Sequence, residues 1–146
     1  MPKKKSIAII IYNKEILLLL RDNNPNIQNP NTWQLPGGRI EENENHFQTI
    51  KRELKEEISL IPTNLKYLGD ALSNTSVYIS FLTDEETKHV KLGNEGQKLK
   101  FFTKEELLHL KVIPSIKFYM EKYGDALDAL ISGKIPEDIS LLGLKR

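Results

Sequence analysis

Glu53, Glu56 and Glu57 fall at i, i+3 and i+4 in the run Arg52-Glu53-Leu54-Lys55-Glu56-Glu57, so any helix through this run carries them on one face. Like charges so spaced cost an isolated helix roughly 0.2–0.5 kcal/mol per pair, and three together imply a cation that offsets them. Oxygen-only donors select a hard ion, Mg²⁺ or Mn²⁺. Competing catalytic patterns are missing: the sequence has no G-x-S-x-G elbow, no phosphate loop ending in Gly-Lys-Ser/Thr and no H-E-x-x-H. His46, His89 and His109 are scattered and take no role.

The carboxylates need a helix and something for it to rest on. At about 100° per residue, Phe47, Ile50, Leu54 and Ile58 make an apolar stripe beside the acidic face. The helix is therefore expected to lie on a sheet and to offer its carboxylates at an edge, unburied. Asn45 with Gln48 three residues on makes a capping box that starts it at about His46. Upstream, Trp33-Gln34-Leu35-Pro36-Gly37-Gly38 runs into paired glycines, which permit backbone angles and close approaches closed to other residues. Strand, Gly-Gly turn, polar loop and acidic helix together frame a site for metal and phosphate.

These residues resemble the signature of the Nudix hydrolases, G-x5-E-x7-R-E-U-x-E-E-x-G-U with U apolar. Gly38, Glu44, Arg52, Glu53, Leu54, Glu56, Glu57 and Leu60 fall on it in register, while Ser59 stands where the family has glycine to relieve a left-handed turn. The resemblance implies an α/β fold, an α/β/α sandwich around a central mixed β-sheet, with residues 1–146 as one domain. It implies metal-dependent hydrolysis of a phosphoanhydride bond in a nucleoside diphosphate linked to a group X. On this likeness Glu56 and Glu57 are the principal metal ligands. Glu53 accepts the proton of water or shares a metal, Arg52 orients Glu53, and Glu44 is structural, acting through Arg52. Gly37 offers a carbonyl to the metal and Gly38 lets the chain turn. Glu95-Gly96-Gln97 is similar to a pattern of the MutT type, which makes Glu95 a further metal ligand and Gly96 the residue that lets its loop approach the helix. That type cleaves nucleoside triphosphates to the monophosphate and pyrophosphate, so a nucleoside triphosphate, plain or oxidised, is the expected substrate; nucleotide sugars and dinucleoside polyphosphates stay open as alternatives. So do two non-enzymatic classes, a nucleotide-sensing module and an interaction protein with an acidic helix. Intact Glu53, Glu56 and Glu57 argue against the first, and the second predicts no divalent-ion dependence.

The composition sets the frame. With 146 residues, 39% hydrophobic and 28% charged, the chain has room for one sizeable core. A net charge of +1 offers no electrostatic footprint for duplex nucleic acid or an acidic membrane surface; the family resemblance implies a small nucleotide as the partner, with the chain expected as a monomer or homodimer. Zero cysteines exclude disulfides, thiolate zinc sites and cysteine nucleophiles, and suit a reducing cytoplasm. The apolar run after Lys3-Lys4-Lys5 is too short for a signal peptide, and no stretch reaches the length of a membrane span.

Along the chain, residues 5–21 read as a hairpin in the sheet centre, turning at Asn13-Lys14. Asp22 to Thr32, with five asparagines and two prolines, reads as a loop. Arg21 at its root either meets a substrate phosphate or salt-bridges Asp22. Leu65 to Ala71 and Ser76 to Thr83 read as strands, with Tyr78 either lining a base pocket or half-buried on the sheet. Asp84 to Gly93 is expected to loop out, and Leu99 to Phe102 to form a short strand. Thr103-x-x-Glu106 caps a helix to about Leu110. Pro114 to Tyr123 reads as another helix with Gly124 as its stop, and Ala126 to Ser132 as a last one. Residues 135–146 carry little signal.

Overall fold

The computed structural model describes residues 4–72 and 74–146. The chain opens with β1 (Lys5–Tyr12) and β2 (Glu15–Leu20), joined by a two-residue turn. Asn13 (φ 48°) and Lys14 (φ 62°) both take the left-handed angles that let a tight turn match the twist of its strands. β3 (Trp33–Gln34) and β4 (Gly37–Arg39) follow the 22–32 loop, and α1 (His46–Ile58) follows β4. Next come β5 (Lys66–Ala71), β6 (Thr75–Phe81), the short α2 (Asp84–Thr87), β7 (Lys98–Phe102), the short α3 (Lys104–Leu107), α4 (Pro114–Lys122) and α5 (Gly124–Ile131). A 3-10 turn at Ile139–Leu142 precedes the C-terminus.

The described strands form one mixed sheet in the order β3-β2-β1-β6-β5, with β4 also on β1 and β7 also on β2. β1 and β6 run parallel over Lys5↔Thr75 to Ile11↔Phe81; the other pairings are antiparallel. β1 and β2 touch only near their turn, at Ile11↔Ile16 and Tyr12↔Glu15. Beyond it they part, and residues 33–39 fill the split: β3 pairs with the end of β2, and β4 with the start of β1. The Ala8 N–H donates to the Pro36 carbonyl between them (2.9 Å). This wedge carries Gly37 and Gly38 into the middle of the sheet.

Alternation along the strands divides the core in two. Ala8, Ile10, Leu17, Tyr78 and Leu82 meet Ile50, Leu54 and Ile58 of α1 on one face. Ile9, Ile11, Leu18, Val77 and Ile79 meet Leu130 and Ile131 of α5 and Leu142 and Leu144 of the tail on the other.

Several sequence expectations are corrected. Phe47 does not continue the buried stripe of α1: it is 42% exposed and leans on Tyr78, with the Lys51 ammonium over its ring. Asp84 to Gly93 does not simply loop out, because Thr83 and Glu86 form a reciprocal capping box that starts α2. The same arrangement at Thr103 and Glu106 starts α3, which ends at Leu107, short of Leu110. Gly124 begins α5 rather than ending α4, whose cap is Tyr123. The tail forms an antiparallel bridge to β5 at Asp70↔Lys145 and so covers that edge of the sheet.

Candidate active site

α1 is held at both ends. The Asn45 side chain accepts from the Gln48 N–H (2.8 Å), and Gln48 Oε1 accepts from the Asn45 N–H (2.9 Å). Ser59 closes the helix in the left-handed region, φ 64° and ψ 20°. Between these caps Ile50, Leu54 and Ile58 are fully buried against the sheet, which fixes the rotation of the helix and aims its acidic face at β4.

Glu57 is not at an exposed edge, as the helical wheel suggests; it is 8% exposed. Its Oε1 accepts the Gly37 N–H at 2.7 Å, so the buried carboxyl has one partner from the wedge. Burial raises its pKa to about 8, against the pull of that N–H, and the charges of Glu53, Glu95 and Glu56 push the same way. Glu53 is raised too, chiefly by burial, with Arg52 opposing. Gly38 leaves room for it, since a Cβ there would overlap the Glu53 carboxylate. Gly37 has φ 147°, and a Cβ on it would overlap the Ser6 carbonyl of β1.

Arg52 binds the cluster together. Its Nε and Nη2 donate to the two oxygens of Glu44 (2.7 and 3.0 Å), and its Nη1 donates to Glu53 Oε1 (2.9 Å) and reaches Glu56 Oε2 (3.4 Å). Nη2 also donates to the Arg39 carbonyl (3.2 Å), tying the helix to the end of β4. The Arg52 pair pulls the Glu44 pKa down to about 2, helped by the Glu41 N–H and Thr49 hydroxyl, while Arg52 itself is raised. The bidentate fork is the geometry that suits arginine rather than lysine.

Glu95 lies in the loop between α2 and β7, near enough to Glu53 and Glu57 for its charge to raise both. Gly96, at φ 91°, packs against Leu19 of β2, not against the helix. The close approach to α1 is made by Gly93, whose added Cβ would overlap the Glu56 carbonyl. Sequence reading passed over Gly93, although a glycine two residues before Glu95 was the visible signal. Arg21 does not pair with Asp22; it donates to the Gln28 carbonyl (3.0 Å) and Gln34 Oε1 (2.8 Å), bracing its own loop. Tyr78 is buried between Phe47 and Tyr67 on the α1 face.

The other face of the sheet holds a cavity of about 370 Å³. Ile7, Leu35 and Val77 form its floor and Ile116, Tyr119 and Tyr123 its roof. Strand alternation puts Val77 in that floor and turns Tyr78 away, so Tyr78 does not line it. Ile7 is the register partner of Gly37, which places the cavity across the wedge from Glu57.

Among the described residues no three carboxylates enclose an ion as they stand, because Glu53 and Glu56 lean on Arg52 and Glu57 on Gly37. The donor set nonetheless fits a hard divalent cation. Four carboxylates within mutual electrostatic reach, one buried and holding a proton near neutral pH, are what such an ion would ionise and bind.

A mixed sheet between helices thus mounts an arginine-clamped acidic helix against a paired-glycine strand. The chain belongs to the Nudix family: the NUDIX domain matches residues 2–122. Nudix hydrolases generally use divalent metal ions. The chain is 32% identical over 121 residues to an ADP-ribose pyrophosphatase of Methanocaldococcus jannaschii, covering 79% of this chain and 66% of that protein. It is 38% identical over 71 residues to an RNA pyrophosphohydrolase of Hydrogenovibrio crunogenus, covering 45% of this chain and 38% of that one. The chain thus spans just under two thirds of the first relative and well under half of the second. Its fold is similar to that of a MutT/nudix family protein from Listeria innocua, with TM-score 0.68, 22% identity, and 90% and 98% of the two chains covered.

Proposed function

We propose that the protein cleaves a nucleoside triphosphate to the monophosphate and pyrophosphate with Mg²⁺ or Mn²⁺. The observation that carries this is the intact Glu53, Glu56 and Glu57 cluster, clamped by Arg52 and set against the Gly37 N–H. Glu56, Glu57 and Glu95, with the Gly37 carbonyl, would hold the cation. When bound, it offsets the charge of the phosphate oxygens and makes water more acidic. Glu53, steadied by Arg52, takes the proton of the attacking water; burial raises its pKa and so makes it a stronger base. The apolar cavity receives the nucleoside, and Tyr119 and Tyr123 supply aromatic faces for the base. The Glu44 pair holds Arg52 in place and does not touch the reacting groups.

A second reading, hydrolysis of a nucleotide sugar, is supported by the ADP-ribose pyrophosphatase relative. The two are separated by supplying nucleoside triphosphates and ADP-ribose in parallel, with and without Mg²⁺, and identifying the products. Release of pyrophosphate from a triphosphate supports the first reading; turnover of ADP-ribose alone replaces it with the second. Metal-independent turnover would overturn both. Among the described residues no helix is long and apolar enough to cross a membrane. With a sequence free of cysteine, we place the enzyme in the cytoplasm.

A further inference from the structure

The last turn of α1 is finished by a distant loop. The Ile58 carbonyl accepts from the Lys91 N–H (2.9 Å) and the Glu57 carbonyl from the Gly93 N–H (3.0 Å), so two carbonyls that a helix end leaves open are filled by residues 91–93. Ser59 completes the contact, because its Oγ donates to the Lys91 carbonyl at 2.8 Å. Lys91 is therefore held from both sides, by its N–H and by its carbonyl. Gly93 sits directly on the Glu56 carbonyl, and Glu95 follows two residues later. The far end of the loop is tied to β2, where the Gln97 N–H donates to the Leu20 carbonyl (2.8 Å). Glu95 lies between these two anchors.

Glycine serves Ser59's left-handed backbone at no steric cost, whereas serine is strained there. What serine has and glycine lacks is the hydroxyl that holds Lys91. We propose that Ser59 is a positioning residue: its hydroxyl fixes the 91–95 loop on the end of α1 and so presents Glu95 to the Glu53, Glu56 and Glu57 cluster. The inference rests on the reading of that cluster as a metal site. It explains why a strained residue stands where the signature has glycine, since the hydrogen bond offsets the strain.

The test uses the whole chain with Ser59→Gly and Ser59→Ala, read by calorimetric titration with Mn²⁺ alone and by exchange of the Lys91 and Gly93 amides, the two that bond the end of α1. Both variants should bind Mn²⁺ about three- to tenfold more weakly, the worth of one hydrogen bond, and exchange the two amides faster. Their thermal midpoints should diverge, Ser59→Gly melting above Ser59→Ala because only glycine relieves the backbone. A purely structural role would make affinity follow stability, which this pattern excludes. On a Glu95→Gln background, Ser59→Gly should weaken Mn²⁺ binding no further, because the hydroxyl acts through Glu95. Parental Mn²⁺ affinity and parental exchange in Ser59→Gly would overturn the proposal. Unaltered Mn²⁺ binding in Glu57→Gln would instead overturn the metal-site reading, and the exchange rates at Gly93 would still report whether Ser59 holds the loop.

Discussion

Glu57 joins two demands that pull apart, a buried position and a charge. Between its unfolded pKa near ~4.3 and its folded value of about 8, the folded protein holds a proton that the unfolded chain has lost. Its contribution to stability is therefore full below the unfolded value and is lost as pH rises through about 8. Glu44 behaves oppositely: its pair with Arg52 is fully stabilising above ~4.3 and is lost only as pH falls through about 2. From pH 5 to 8 the Glu57 slope is thus left unopposed by Glu44. In the presence of a chelator, the parent should melt lower at pH 8 than at pH 5.5, and Glu57→Gln should flatten that difference. Equal slopes in the two proteins would show that Glu57 ionises freely in the fold. The same substitution should lower Mg²⁺-dependent hydrolysis by orders of magnitude while keeping the fold; near-parental turnover would mean that the site lies elsewhere. The likeness to the family signature made the Arg52 and Glu44 partnership legible in the sequence. The burial of Glu57 was not, because a helical wheel sees only the helix, and the Gly37 N–H that receives this carboxyl comes from a strand twenty residues away.

At the scale of elements, hairpin and capped helix were legible because each is specified locally, by a turn, a cap and a stripe; the paired glycines, expected to turn the chain, instead form strand β4 on β1, a pairing no local signal announces. α2 was missed although Thr83-x-x-Glu86 repeats the signal read correctly at Thr103-x-x-Glu106, since its charged sequence lacks the apolar period that follows a longer helix. Two glycines show how elements are set against each other. An alanine Cβ at Gly38 would meet the far end of the Glu53 side chain, which can swing aside; at Gly93 it would meet the backbone of Glu56, which cannot. Gly38→Ala should therefore leave the melting temperature close to the parent's but cut turnover about 10²-fold through the displaced carboxylate. Gly93→Ala should instead cost about 1–3 kcal/mol of stability by overpacking, read from denaturation midpoints. If Gly38→Ala loses stability and keeps activity, the packing of Glu53 on β4 is not what orients it.

The whole molecule divides its features across one sheet: carboxylates and α1 on one face, an apolar cavity beneath α4, α5 and the tail on the other. This division was invisible in the sequence, because strand order is set by the split between β1 and β2 and because residues 135–146 carry no period. Yet that tail supplies Leu142 and Leu144 to the cavity wall and closes the edge of β5. If the cavity holds the nucleoside while the opposite face holds metal and performs the chemistry, filling the cavity should raise KM and spare kcat. Ile116 is suited to the test, since it lies on α4, lines the cavity and is only partly buried, so that a larger ring can enter the open space without forcing the core apart. Ile116→Trp should raise KM for a nucleoside triphosphate about tenfold or more, the scale at which a pocket's shape discriminates. Its Mn²⁺ affinity and its kcat at saturating substrate should match the parent's, because no atom of the carboxylate cluster is moved. A variant with parental KM would place the nucleoside outside the cavity, and one with lowered kcat and unchanged KM would show that the two faces of the sheet are not independent.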